Sequence, residues 1–212
     1  MSALVILLYL PEYVVGYLLL VQQQLIGCSR LPEGYWRDQY NASGKSPKKQ
    51  IKVRTFTDWN DIIPGFFEGD LVANCGGRMD GSFLNSFVLT DIASGWTEFF
   101  VLLKKGEADV IAALGVLQQL LPFPLLGLDT DNGSEFINHV LLAFYKNHKI
   151  TFTHSRAYKK NDQAHVEEKN GSIVRRLIGY DRFEGMEAYN CCAPGILVTA
   201  IKLRKREFKK KI

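Results

Sequence analysis

From about residue 51 the chain alternates between two hydrophobic periods. Phe66–Ala73, Ser86–Asp91 and Thr97–Leu103 are short runs rich in aromatic and β-branched residues, the pattern of strands. Gly76-Gly77, Asp80-Gly81 and Ser94-Gly95 stand between them and suit tight turns, so the three are expected to pair as an antiparallel meander. In Glu107–Leu120 the period changes. Val110, Ile111, Leu114 and Leu117 recur at helical spacing, and the segment opens with acids, at the positive end of a helix dipole. Pro124–Asp129 is an apolar run ending in Asp, as a buried strand would be. Ser134–His148 predicts a second helix with Ser134 as its cap, and Ile150–His154 a further strand. Gln163–Ile178 predicts a third helix, with Val166, Ile173, Val174, Leu177 and Ile178 on one side. The order βββ-α-β-α-β-α predicts an α/β fold: one mixed five-stranded sheet, three antiparallel strands and then β-α-β-α, flanked by helices.

Ahead of this core, residues 29–50 are polar and broken by Pro32, Gly34 and Ser43-Gly44-Lys45-Ser46-Pro47, as in a linker. Residues 3–21 are apolar with one charge, Glu12. They are long enough to cross a bilayer, but Pro11-Glu12 splits the run and no Lys or Arg precedes Arg30. A membrane span is therefore not the expectation. The 212 residues carry 26 Lys/Arg against 22 Asp/Glu, and the excess is local. Lys202, Arg204, Lys205, Arg206, Lys209, Lys210 and Lys211 crowd the last twelve positions, and Lys45, Lys48, Lys49, Lys52 and Arg54 form a second basic run. Such segments suit phosphate-bearing partners. Cys28, Cys75, Cys191 and Cys192 make no CxxC pair and share no zinc spacing with the four His, so no zinc and a reducing compartment are expected.

Three acids stand out only in combination. Asp70 lies mid-run in Gly65-Phe66-Phe67-Glu68-Gly69-Asp70-Leu71, where a carboxylate is costly unless compensated; an edge strand facing solvent is the plainer alternative. Asp131 follows the apolar run in Asp129-Thr130-Asp131-Asn132-Gly133-Ser134, ordinary turn chemistry in which Asp129 and Glu135 compete with it. Glu167 shares a helical stripe with Gln163, Asn170 and Gly171, while Glu168 points elsewhere. If the first and fourth strands are central neighbours, the three carboxylates converge. Like charges that close need cations, and all-oxygen ligands suit Mg2+ or Mn2+. Two ions could then clamp the attacking and leaving oxygens of a phosphoryl displacement.

The same segments resemble the catalytic core of DDE integrases and transposases, those of bacterial insertion sequences most closely and retroviral integrases next. The resemblance runs through Arg54-Thr55-Phe56, Asp58-Trp59, Pro64-Gly65-Phe66 to Asp70-Leu71-Val72, Val88 to Trp96, Asp131-Asn132-Gly133-Ser134-Glu135-Phe136, and Asn161-Asp162-Gln163 through Glu167 to Asn170. Asp131 and Glu167 are separated by 35 residues, the family's spacing for its third acid. The resemblance implies a ribonuclease H-like fold, with Asp70, Asp131 and Glu167 as catalytic residues and ligands of two Mg2+ or Mn2+ ions. It implies DNA integration by metal-dependent cleavage and strand transfer, with transposon ends and target DNA as partners. A homo-oligomer and a bacterial cytoplasmic, nucleoid-associated setting go with it. Lys159, Lys160, Asn161, Gln163, Lys169, Asn170, Arg175 and Arg176 surround the acids and are the candidate DNA contacts.

The resemblance covers residues 48–187. Residues 1–47, an apolar segment and linker in the place of a DNA-binding module, and the basic tail 188–212 depart from it, so both ends look abridged or altered. Gly171 stands where close relatives carry a bulky aromatic. Rival readings are a ribonuclease H-like nuclease and a non-catalytic remnant that binds DNA or a full-length relative.

Overall fold

The computed structural model describes residues 47–55, 63–156 and 160–192. The N-terminal apolar segment and the basic tail from 193 on lie outside the described residues. Its elements are a 3-10 turn, Pro47–Gln50; strands β1 (Lys52–Val53), β2 (Phe66–Ala73), β3 (Asn85–Asp91) and β4 (Thr97–Leu102); helix α1 (Glu107–Leu120); β5 (Gly127–Thr130); α2 (His139–Asn147); β6 (Thr151–His154); a 3-10 turn, Lys160–Gln163; α3 (Ala164–Lys169); a π-helical turn, Asn170–Val174; and α4 (Arg175–Leu177). A last helical stretch covers 185–192.

The strands form one mixed sheet in the order β1-β6-β5-β2-β3-β4. β2, β3 and β4 pair antiparallel, and β5 and β6 run parallel to β2. The meander, the two parallel strands and the central adjacency of β2 and β5 are as the sequence predicts. A sixth strand was not predicted: Lys52–Val53 adds parallel to β6. Two residues carry no period to read, and their partner lies a hundred residues away.

Two apolar layers cover the sheet. Phe67, Phe87, Leu89, Phe100 and Leu128 pack under α1 and α2. Val72, Val88, Phe99 and Val101 pack on the other face under Val166, Val174 and Tyr189. Side chains alternate along β2, so Phe67 and Leu71 enter the first layer and leave Glu68, Asp70 and Val72 on the second. Gly69 faces the first layer without a side chain, because a Cβ there would stand 3.1 Å from Leu128. β2 is entered from Gly65, whose φ of +129° and close approach to the Pro124 carbonyl (2.6 Å from an added Cβ) only glycine accommodates.

Three boundaries differ from expectation. The strand expected over Pro124–Asp129 is Gly127–Thr130. The second helix begins at His139, capped by the Asn138 side chain on the Leu141 amide, so Ser134 is not its cap. Residues 131–137 instead fold into turns set by Asp131 and Gly133. The third helix is interrupted from Asn170 by the π-helical turn. Apolar spacing is compatible with either winding, and Gly171, whose added Cβ would meet nothing within 4 Å, is the sole local hint of lost helix regularity.

Candidate active site

Asp70 occupies the middle of β2, bonded on both sides by β3 and β5, so the solvent-facing edge strand is excluded. Parallel register pairs Gly69 with Thr130, which sets Asp131, the residue after β5, level with Asp70. α3 lies over β2 and β3 on this face. Gln163 donates from its amide to the Gly69 carbonyl at 3.4 Å, and Asn170 donates to Asp70 Oδ2 at 2.7 Å. Those two bonds straddle Glu167 along the helix, so the polar stripe through Gln163, Glu167 and Asn170 is the one that meets the strand. Glu167 and Glu168 are both exposed, and Glu168 stands 3.9 Å from Lys169.

The electrostatics follow from this crowding. Burial raises the Asp70 pKa, and Asp131 and Glu167 raise it further; the Leu71 amide and Asn170 oppose them. Burial also raises Asp131, with Glu135 adding to it, while the Gly133 amide and Lys105 pull it down. The Gly133 N–H donates to Asp131 Oδ1 at 2.9 Å, and Asn132 ties the turn to the Ser155 carbonyl at 2.9 Å. Glu135 is buried beside this turn, paired with Lys105 Nζ at 2.7 Å. Of the two acids that competed with Asp131, Glu135 is thus held by a lysine. The other, Asp129, is fully buried on β5.

Glu68 and Asp129 are neighbours of the candidate site; sequence reasoning weighed Asp129 as a rival of Asp131 and did not single out Glu68. They are register partners on β2 and β5, both fully buried. Burial pushes Glu68 up to about 8, with the Asp129 and Glu167 charges adding to it. Burial pushes Asp129 up to about 7 against the pull of Thr153 and Arg54. Thr153 donates to Asp129 Oδ1 at 2.5 Å. Among the described residues, Glu68 Oε1 and Asp129 Oδ2 are buried and have no hydrogen-bond partner. The available signal was the period: Glu68 and Asp129 stand two residues before Asp70 and Asp131, hence on the same face.

Asp70 and Asp131 thus stand level on one face of the sheet, beneath the helix that carries Glu167, and Asp70 senses the charge of both. Among the described residues, no three acids, His or Cys are drawn together into a ready metal cage. The donor chemistry still fits hard divalent cations: carboxylate oxygens of Asp70 and Asp131 on a face where burial and neighbouring acids disfavour their charged forms.

The candidate DNA contacts sit in differing surroundings. Gln163 is buried and Asn170 half-buried, and both amides bond to β2. A polar helix face looks the same in sequence whether it meets DNA or a strand. Arg175 bonds to the Gly179 and Ala73 carbonyls and stacks on Tyr180 at 4.8 Å. Arg176 is exposed and Lys169 half-buried. Lys160 and Asn161 open the 3-10 turn before α3, and Lys159 lies outside the described residues.

No family model matches the chain. A curated relative, the uncharacterized protein y4rM of Sinorhizobium fredii (strain NBRC 101917 / NGR234), is 48% identical over 156 residues, 74% of this chain and 44% of that protein. The chain therefore spans less than half the length of the curated relative it matches. Similar solved structures include the simian T-cell lymphotropic virus intasome in complex with PP2A regulatory subunit B56 gamma, at TM-score 0.49 and 18% identity over 64% of this chain and 46% of that one. The HTLV-2 integrase catalytic core domain in complex with magnesium, trimeric form, follows at 0.47 and 21%, over 66% and 85%. The BIV integrase catalytic core domain stands at 0.45 and 21%, over 64% and 82%. At these values it is the chain's own topology that identifies the fold. By the order and direction of its strands, this chain has the mixed α/β, ribonuclease H-like fold that integrase catalytic cores share.

Proposed function

We propose that this chain is the catalytic core of a DNA integrase or transposase, with Asp70, Asp131 and Glu167 as its catalytic residues. The observation that carries the reading is the position of Asp70: central in the sheet, level with Asp131, and raised in pKa by burial first and then by the charges of Asp131 and Glu167. A face with that much negative charge is stable once cations sit on it. The three carboxylates would hold Mg2+ or Mn2+, two ions in the full site, and such ions polarise a phosphodiester and activate the attacking oxygen. Asn170 fixes the Asp70 carboxyl by its 2.7 Å bond, and the Gly133 amide fixes that of Asp131. Gln163 seats the helix of Glu167 on β2.

The substrate in this reading is DNA, first cleaved to free a 3′ end and then joined through that end to a target. Lys159, Lys160, Lys169, Arg175 and Arg176 are the cationic candidates for phosphate contact, with the tail 188–212 adding charge. The core spans 48–187, assembles as a homo-oligomer and works on the bacterial nucleoid in the cytoplasm.

The test is Mg2+- or Mn2+-dependent nicking and strand transfer on a terminal-repeat oligonucleotide. Wild-type protein is expected to give joined products, and Glu167→Gln to lose at least ~100-fold of that activity. Activity that survives Glu167→Gln refutes the assignment. Nicks without joined products favour a nuclease. Binding without either favours a non-catalytic remnant, for which the lack of a ready three-acid cage among the described residues is the structural argument.

A further inference from the structure

Glu68 is fully buried on the face of β2 that carries Asp70, and a buried carboxyl needs a donor. Its donor comes from α3: the Val166 N–H donates to Glu68 Oε2 at 2.9 Å, and the His165 backbone adds a weaker bond. Those amides belong to the first turn of α3, where backbone donors have no partner within the helix. Gln163, at the N-cap position, makes no side-chain cap bond and spends its amide on Gly69. A cap normally comes from the residue that precedes the helix. Here it comes from the central strand, 98 positions away. Val166 is the residue immediately before Glu167. The strand of Asp70 therefore grips the helix of Glu167 one residue from that carboxylate.

We propose that Glu68 is a positioning residue: it caps the helix bearing Glu167 from the strand bearing Asp70, and so sets how far apart the two carboxylates stand. The inference rests on the reading of Asp70 and Glu167 as cation ligands. The cap needs an acceptor oxygen, which glutamine also has; it does not need a negative charge. Leucine has no acceptor.

The experiment compares Glu68→Gln and Glu68→Leu with the wild type in the full chain. Two quantities are read: hydrogen exchange of the Val166 amide by NMR, and the Mg2+ concentration for half-maximal strand transfer. Glu68→Leu is expected to speed Val166 exchange about tenfold or more, and to raise the Mg2+ requirement several-fold. Glu68→Gln is expected to restore both to within about twofold of wild type. Unchanged Val166 exchange in a folded Glu68→Leu protein overturns the proposal. So does a folded Glu68→Gln protein that loses Val166 protection or the wild-type Mg2+ dependence, since charge would then be what matters. Should Glu68→Leu not fold, Glu68→Gln decides alone by the same two readings. If wild-type protein gives no Mg2+-dependent product, or Glu167→Gln leaves product intact, the ligand assignment falls, and Val166 exchange still decides whether the cap exists.

Discussion

Replacing Glu68 by glutamine changes one thing and spares another. It removes a titrating group and keeps an oxygen for the Val166 amide. In the fold Glu68 titrates at about 8, against an ordinary 4.5. Between those values the folded protein holds a proton that the unfolded chain has released. Stability is therefore highest below pH 4.5 as far as this group is concerned, and it falls as pH rises to about 8. At ~1.4 kcal/mol per pH unit, the loss has a ceiling of ~5 kcal/mol. Asp129, at about 7 against 3.8, acts in the same direction over a lower window. A domain with 5–15 kcal/mol of stability would feel such a loss. The assay is urea unfolding from pH 5 to pH 9, with chelator present so that no divalent cation offsets the charge. Wild-type stability is expected to drop by a few kcal/mol across that range, and Glu68→Gln to flatten the drop and to be the more stable protein at pH 9. A glutamine variant with the wild-type pH slope would show that burial of Glu68 does not hold its proton.

Two further outcomes follow from the backbone. Gly65→Ala strains a residue at φ +129° and drives its Cβ to 2.6 Å from the Pro124 carbonyl, so a loss of ~2 kcal/mol or more is expected in the same urea assay; near-wild-type stability would contradict the local geometry. Arg182 donates to the carbonyls of Cys75, Arg78, Asp80 and Ser82, clasping the whole β2–β3 loop, so Arg182→Ala is expected to open residues 75–82 to proteolysis at a cost of only ~1–2 kcal/mol in global stability. A loop that stays protease-resistant without Arg182 would refute that clasp.

What the chain announces in one dimension is its local periodicity. The runs of β2, β3 and β4 lie between glycine turns, and α1 carries its apolar stripe, because neighbours a few residues apart decide those patterns. Asp70, Asp131 and Glu167 were legible as candidates for a different reason: each breaks an otherwise ordinary local pattern, and their spacing matches a known family. The boundaries of α2 and the winding after Lys169 were not legible, because Asn138 competes with Ser134 for the cap and helical spacing is blind to one extra residue per turn. Nor were the partners of polar groups. Gln163 and Asn170 look like surface amides in sequence, and only the seating of α3 on β2 makes them bonds to Gly69 and Asp70. In sequence Glu68 looks like an unremarkable acid beside the candidates, and Asp129 like a rival of Asp131. Pairing β2 with β5 buries them side by side, and α3 then supplies the donor that one of them needs. Periodicity is short-ranged and written in the chain. The surroundings of a buried charge are set by segments about 60 to 100 residues away, and those meet only when the sheet is assembled.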